Sequence, residues 1–252
     1  MTPPPKTMVF AHRGANKEAA ENTRSAFDRA LAYPIDGMET DVQLSRDGVT
    51  VLWHDRFLAK LGHPDSHIDD YDYAQLQEMN CAHHFSASAK VEGIVSLHEF
   101  LQAYRQRTRL LLEIKNREWE SSARHENKVR QTLDMVGQVS DDKIMISSFN
   151  LNSLVYAQQT RPGFPLVYNF EEEQTLADAK QVLAAHPFLH GLCLPIASLN
   201  AAIVGLLREH QKSIAVYTCN TEQEINTALD FGVDILISDL PQKTLLMRDA
   251  RK

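Results

Sequence analysis

The chain has 252 residues, 43% of them hydrophobic and 23% charged, with a formal net charge of −7. That composition suits a soluble globular protein, and the acidic balance excludes a nucleic-acid partner, which would need a basic stripe. No apolar run reaches the ~18 residues of a membrane span, the opening M-T-P-P-P-K lacks the apolar core of a secretory signal, and three scattered cysteines, Cys81, Cys193 and Cys219, read as reduced thiols of a cytoplasmic protein.

In chain order, residues 8–11 are a short apolar strand running into His12-Arg13-Gly14. Residues 25–32 keep helical spacing, with Asn22 or Thr23 as N-cap. Residues 37–44 read as a strand, and 49–54 as its return across the turn Ser45-Arg46-Asp47-Gly48, because a D-G step between alternating runs signals a hairpin. Pairing Ser45 with Gly48 sets Glu39 opposite His54, with Asp41 on the same face; a slip of one residue breaks this arrangement. Residues 56–89 hold G-H-P-D, D-D-Y-D and C-A-H-H and one helical stretch, 73–79. They form a polar excursion, to about residue 95, over one face of the domain. Trp53 reads as packing outside the wall, and His63, His67, His83 and His84 as loop residues without a recurring ligand spacing.

A regular alternation then begins. Ser96-x-x-Glu99 opens a helix to 107 as a capping box. Strands at 109–114, 143–147, 165–168, 191–194, 213–218 and 234–238 alternate with helices at 121–139, 150–159, 171–185, 198–210, 221–231 and 242–248. Counting the strands at 8–11 and 37–44, eight run forward, and the 49–54 strand is an antiparallel extra. Eight β/α units in a chain of this length predict a (β/α)8 TIM barrel spanning 1–252 as one domain; a doubly wound open sheet is the alternative.

In such a barrel, function gathers at the C-terminal ends of the strands. There the sequence delivers His12 and Arg13, then Glu39 and Asp41 with His54 returned beside them, then Glu113 and Lys115. Singly, each has a plainer reading: a structural histidine, ordinary ion pairs, an exposed strand end. Together they place three carboxylates at one mouth, where they disfavour one another's ionisation. One divalent cation, Mg²⁺ or Ca²⁺ given all-oxygen ligands, removes that conflict. Arg13 and Lys115 are then free to hold a phosphate, and the two histidines to act as general acid and base. This describes metal-assisted cleavage of a phosphoester.

On His12-Arg13-Gly14, Glu21-Asn22-Thr23, Glu39-x-Asp41-Val42, Arg46-Asp47-Gly48, His54-Asp55, Leu112-Glu113-Ile114-Lys115, Ser147-Ser148-Phe149, Val216 to Asn220, Gly232-Val233-Asp234 and Ser238-Asp239-Leu240-Pro241, the chain resembles the glycerophosphodiester phosphodiesterase family of the cytoplasmic bacterial type. The resemblance runs over nearly the whole chain in order. It implies hydrolysis of a small-molecule glycerophosphodiester to sn-glycerol 3-phosphate and an alcohol, in glycerophospholipid breakdown. Glu39, Asp41 and Glu113 would hold the metal, and His12 and His54 would be the acid–base pair. Arg13, Lys115 and Tyr217 would contact phosphate and substrate, with Glu21 and Asn22 supporting the site from behind. Departures surround the substrate: Ala20 replaces a proline before Glu-Asn, Tyr217 a tryptophan, Cys219 an aliphatic residue, and Phe57-Leu58-Ala59-Lys60-Leu61-Gly62 stands where L-x-R-T-T is usual. Rival readings are a lysophospholipase D-like enzyme, which wants an apolar rim; an amidohydrolase, which wants H-x-H where Gly14 stands; and a non-catalytic barrel, expected to have lost a core residue. A homodimer is left open.

Overall fold

Short apolar strands bury both faces when helices cover one and a packed interior fills the other. The computed structural model describes residues 6–86, 90–137 and 143–251. In chain order they form β1 (Met8–His12), α1 (Arg24–Ala30), β2 (Gly37–Leu44), β3 (Thr50–Leu52), α2 (Tyr73–Glu78), α3 (Leu97–Tyr104), β4 (Arg109–Ile114), α4 (Ser122–Val136), β5 (Ile144–Ser148), α5 (Leu151–Thr160), β6 (Leu166–Asn169), α6 (Leu176–Ala185), β7 (Gly191–Pro195), α7 (Ala201–Glu209), β8 (Ser213–Tyr217), α8 (Glu222–Asp230), β9 (Ile235–Ser238) and α9 (Pro241–Asp249). β1 pairs in parallel with β2 on one side and β9 on the other, and the remaining strands follow in order between them. The ring therefore closes as the predicted (β/α)8 barrel, with β3 bonded antiparallel to β2 outside it. None of the described helices is long and apolar enough to cross a membrane.

Alternation along the strands sorts the side chains. Outward residues such as Met38, Leu112, Ile146 and Leu194 pack under the helices, while Phe10, Leu111, Met145, Val167, Cys193, Ala215, Ile235 and Ile237 fill the interior. Two residues further along the same inward face come His12, Glu113, Ser147, Asn169 and Tyr217. Thr23 caps α1, accepting from the Ala26 N–H, and the capping boxes Ser96–Glu99 and Thr221–Glu224 both form.

The hairpin corrects the expected register. Ser45 pairs with Val49, not Gly48: the Ser45 N–H donates to the Val49 carbonyl at 2.9 Å, and the Val49 N–H to Ser45 Oγ at 2.9 Å. The ladder runs Val42–Leu52, Gln43–Val51, Leu44–Thr50, one residue off the predicted pairing. The cause is a three-residue loop whose last member, Gly48, lies at φ +82°, a geometry that D-G supports as readily as a two-residue turn. β3 also stops at Leu52, so His54 lies past the paired segment and is not set opposite Glu39 by the ladder. Open space surrounds Gly48, so only its backbone angle opposes a side chain. Gly48→Val is expected to cost about 1–2 kcal/mol in a urea melt, with an unchanged midpoint counting against this turn geometry.

Other boundaries shift modestly. α6 starts at Leu176 behind a Thr175 cap, leaving residues 171–174 as a turn at the barrel mouth. α4 ends at Val136, where Gly137 takes φ +77°; the expected end at Val139 lies outside the described residues, as do Ala89 and the M-T-P-P-P start. The excursion is more ordered than its polarity suggests. Trp53 packs outside the barrel wall with Val51, Leu58, Ile68, Leu76, Cys81 and Ile94, a small core of its own. All three cysteines are buried and unpaired.

Candidate active site

The barrel ladder aligns the acidic residues. Asp41 on β2 is the register partner of Glu113 on β4, and Glu39 sits two residues before Asp41 on the same face. The three carboxylates offer oxygens that all lie within 4.8 Å of one another. Glu39 Oε2 is buried without a hydrogen-bond partner, while Asp41 Oδ1 and Glu113 Oε1 are buried against the Lys115 ammonium. A buried polar atom without a partner costs about 1–3 kcal/mol, more if charged, so Glu39 Oε2 beside two further buried carboxylates marks a candidate binding centre. Burial first, and then Asp41, push the Glu39 carboxyl well above the usual range. Burial acts on Asp41 in the same sense, but Lys115 and Arg13 outweigh it and hold Asp41 well below. These three carboxylates could hold a divalent cation, which would take the place of the Glu39 proton.

Both cations pair with the carboxylates. Lys115 Nζ lies 2.5 Å from Glu113 Oε1 and 3.0 Å from Asp41 Oδ1. Arg13 Nε lies 3.1 Å from Asp41 Oδ2, and its Nη1 donates to Glu21 Oε2 at 3.1 Å. Like-charged carboxylates without another counterion draw in the nearest ammonium and guanidinium. Asn22 supports the same group, donating to Asp41 Oδ2 at 3.0 Å and accepting from Thr40 Oγ1 at 2.8 Å.

Each histidine is oriented by an aspartate. His12 Nδ1 donates to Asp239 Oδ1 at 2.6 Å, which leaves Nε2 turned toward Glu39 Oε2, 3.8 Å away. Asn16 and Asn220 donate to Asp239 at 2.7 and 2.8 Å and fix it in turn. His54 Nδ1 donates to Asp55 Oδ1 at 2.8 Å. Lys60 Nζ then joins Asp55 Oδ2 at 2.9 Å to Glu21 Oε1 at 2.6 Å, so the excursion ties the His54 side of the site to Arg13. Arg117 completes the hold, donating to the His54 and Asp55 carbonyls at 2.5 and 3.1 Å. Although β3 ends early, these bonds deliver His54 to the mouth.

His12, Arg13, Glu39, His54, Glu113 and Lys115 all line one cavity of about 170 Å³ at the C-terminal mouth of the barrel, with Ser147, Phe149, Asn169 and Tyr217 on the opposite wall. An open groove beside it shares His54, Glu113, Lys115 and Phe149. The Tyr217 hydroxyl donates to the Phe170 carbonyl at 2.5 Å, so Tyr217 presents its ring to the cavity and not its hydroxyl.

A model of the Glycerophosphoryl diester phosphodiesterase family matches residues 12–243. The chain belongs to that family. It is 30% identical to a glycerophosphodiester phosphodiesterase of Bacillus altitudinis, over 98% of this chain and 100% of the other. A phosphodiesterase of Oleispira antarctica, solved with the product sn-glycerol-3-phosphate, superposes with a TM-score of 0.84 at 26% identity, over 97% of each chain. A glycerophosphodiester phosphodiesterase of Thermotoga maritima shares the fold, with a TM-score of 0.77 at 23% identity over 96% of this chain and 98% of that one. The chain is thus a phosphoric diester hydrolase of the glycerophosphodiester phosphodiesterase family, on the barrel the strand count predicts.

Several residues that hold the site were given no role from sequence, among them Asp239, Asp55, Lys60 and Arg117. Asp239 had a signal, since Ser238-Asp239-Leu240-Pro241 ends the last barrel strand. Lys60 and Arg117 act through backbone and charge contacts that leave no pattern in a sequence. Burial lowers the His12 pKa below its ordinary 6.5 despite the Asp239 bond, with Arg13 acting in the same sense. Protonation therefore favours the unfolded chain, and His12 withdraws stability as pH falls below about 6.5. In an NMR titration, the His12 midpoint is expected below the ordinary histidine value and lower still in Asp239→Asn; a midpoint at or above the ordinary value would contradict its buried placement.

Proposed function

We propose that the chain, as one barrel domain over residues 1–252, hydrolyses glycerophosphodiesters to sn-glycerol 3-phosphate and an alcohol, with metal dependence and histidine acid–base catalysis. The observation that carries this reading is one cavity lined by Glu39, Glu113, Arg13, Lys115 and two histidines each held by an aspartate, with the buried Asp41 carboxylate clustered beside Glu39 and Glu113. The product bound in the Oleispira antarctica relative supports the glycerol phosphate half of the substrate.

Glu39, Asp41 and Glu113 are the residues that would hold the cation. When bound, it supplies Lewis-acid polarisation of the phosphoryl oxygens and relieves the repulsion among the carboxylates. Lys115 and Arg13, released from part of their pairing with Asp41 and Glu113, are then placed to bind phosphate oxygens, Arg13 as a planar fork and Lys115 as a point charge. His12 offers Nε2 to the reacting group because Asp239 occupies Nδ1, and His54 does the same because Asp55 occupies its Nδ1. One takes a proton from the nucleophile and the other returns one to the leaving alcohol oxygen. The unpaired thiols fit a reducing, cytoplasmic setting, and the chemistry fits glycerophospholipid breakdown.

Phosphorus NMR of the protein with sn-glycero-3-phosphocholine and Mg²⁺ or Ca²⁺ tests the reading. A single new monoester resonance at the position of glycerol 3-phosphate is expected. Phosphocholine in its place, or an unchanged diester, would refute it.

A further inference from the structure

His54 stands where the sheet no longer holds the chain. β3 ends at Leu52. Past it, the Trp53 N–H still reaches the Asp41 carbonyl, but the carbonyls of residues 53–55 go to two side chains. Gln43 Nε2 donates to the Trp53 carbonyl at 2.7 Å, and Arg117 Nη2 donates to those of His54 and Asp55. The two side chains also bond each other, Arg117 Nε donating to Gln43 Oε1 at 3.0 Å. These acceptors are all neutral. Burial lowers the Arg117 pKa, and Asp41, Glu113 and Glu120 act against it. Glu120 also holds the Arg117 backbone. Its Oε2 accepts from the Arg117 N–H at 3.3 Å, while its own N–H donates to the Arg117 carbonyl at 3.1 Å, which closes a turn. Both Glu120 oxygens accept from Lys128 Nζ on α4, at 2.8 and 2.7 Å, and the two side chains are 4% and 0% exposed. Neither residue lines the cavity or the groove. A buried ion pair is weak ground for stability, since apolar residues of similar volume often serve as well. This pair calls for another reason.

We infer that the buried Glu120–Lys128 pair positions His54 for the reaction, acting through the Arg117 turn and the Arg117–Gln43 clasp on the His54 backbone. The inference rests on the activity proposed above and adds two positioning residues outside the mouth. Lys128 fixes the Glu120 carboxylate, Glu120 fixes the Arg117 backbone, and Arg117 fixes the His54 and Asp55 carbonyls. The Asp55 carboxylate then meets His54 Nδ1. A misplacement of about 1 Å at a reacting group costs on the order of 10²-fold in rate, so loosening this chain of contacts reaches kcat without touching the binding of substrate.

The test is the double variant Glu120→Leu/Lys128→Met, which removes both charges at once and so strands neither. Its urea midpoint is expected near that of wild type. With sn-glycero-3-phosphocholine and Mg²⁺, kcat is expected to fall about tenfold to 10²-fold while KM stays within about twofold. The imidazole NMR signals of His54 are expected to broaden or shift. A folded double variant with wild-type kcat, or one whose His54 signals match wild type, overturns the inference and leaves the pair a structural element only. If the double variant does not fold, Arg117→Ala reads the same clasp. A fall in kcat that millimolar guanidinium partly restores is expected there, whereas wild-type kcat, or a raised KM with kcat kept, overturns the inference. Wild type that cleaves no diester refutes the activity alone, because the His54 spectra of wild type and variant still decide the positioning.

Discussion

His12→Ala is expected to lower kcat on a glycerophosphodiester by about 10²- to 10⁴-fold, the usual contribution of a positioned acid or base, with little loss of folding stability. The loss falls on kcat because His12 presents Nε2 into the cavity while its Nδ1 is bound by Asp239. The fold is spared because Asp239 keeps the bonds from Asn16 and Asn220 when the imidazole is removed. Asp239→Asn separates positioning from proton transfer. It leaves the imidazole in place but removes the acceptor that holds its tautomer, so a large fall in kcat with a near-native melting curve is expected there too. Steady-state kinetics on both variants checks this. Wild-type turnover by His12→Ala would remove it from the chemistry.

Asp41→Asn and Glu39→Gln are expected to differ sharply in metal-depleted protein, although each removes one carboxylate from the same centre. Asp41 is fully buried and faces both Arg13 and Lys115. Removing its charge leaves two buried cations short of a partner, and breaking such a pair costs about 3–5 kcal/mol. Its lowered pKa means that the stability it contributes is present above about pH 4 and is lost as pH falls toward the folded value. Glu39 has the opposite sign. Burial and Asp41 raise its pKa, so the folded state holds a proton that the unfolded chain releases above its own pKa of about 4.3, and stability falls as pH rises from there toward the folded value. Glu39→Gln mimics the protonated form, so it is expected to be neutral or stabilising without metal at neutral pH and to abolish that pH-dependent loss. Both variants are expected to lose the cation. Urea melts of metal-depleted wild type and variants at pH 5 and pH 8 read the contrast, and equal destabilisation by the two would contradict the assigned charge states.

Much of this arrangement is visible in the sequence because barrel geometry turns position into function. Once the strands bring His12 level with Glu39 and Asp41 level with Glu113, those residues share one mouth. The strands are legible because each is a short apolar run between helices with readable caps, such as Ser96–Glu99 and Thr221–Glu224. The hairpin register was not legible, because a D-G step fits loops of two or three residues and only the φ of Gly48 and the Ser45–Val49 bonds decide. Ion pairing of Arg13 and Lys115 with the carboxylates was one reading of the sequence, but which atoms meet depends on distances of about one hydrogen bond. Asp239, 227 positions from His12, and Arg117, gripping the His54 carbonyl, act through contacts with no periodic trace.

The most direct measurement is glycerol 3-phosphate release from sn-glycero-3-phosphocholine by protein stripped with EDTA, before and after adding back Mg²⁺ or Ca²⁺. With Glu39, Asp41 and Glu113 as cation ligands, release should fall to background in the stripped protein and return with the metal, and should not return in Asp41→Asn. Undiminished release by metal-free wild type would contradict the account.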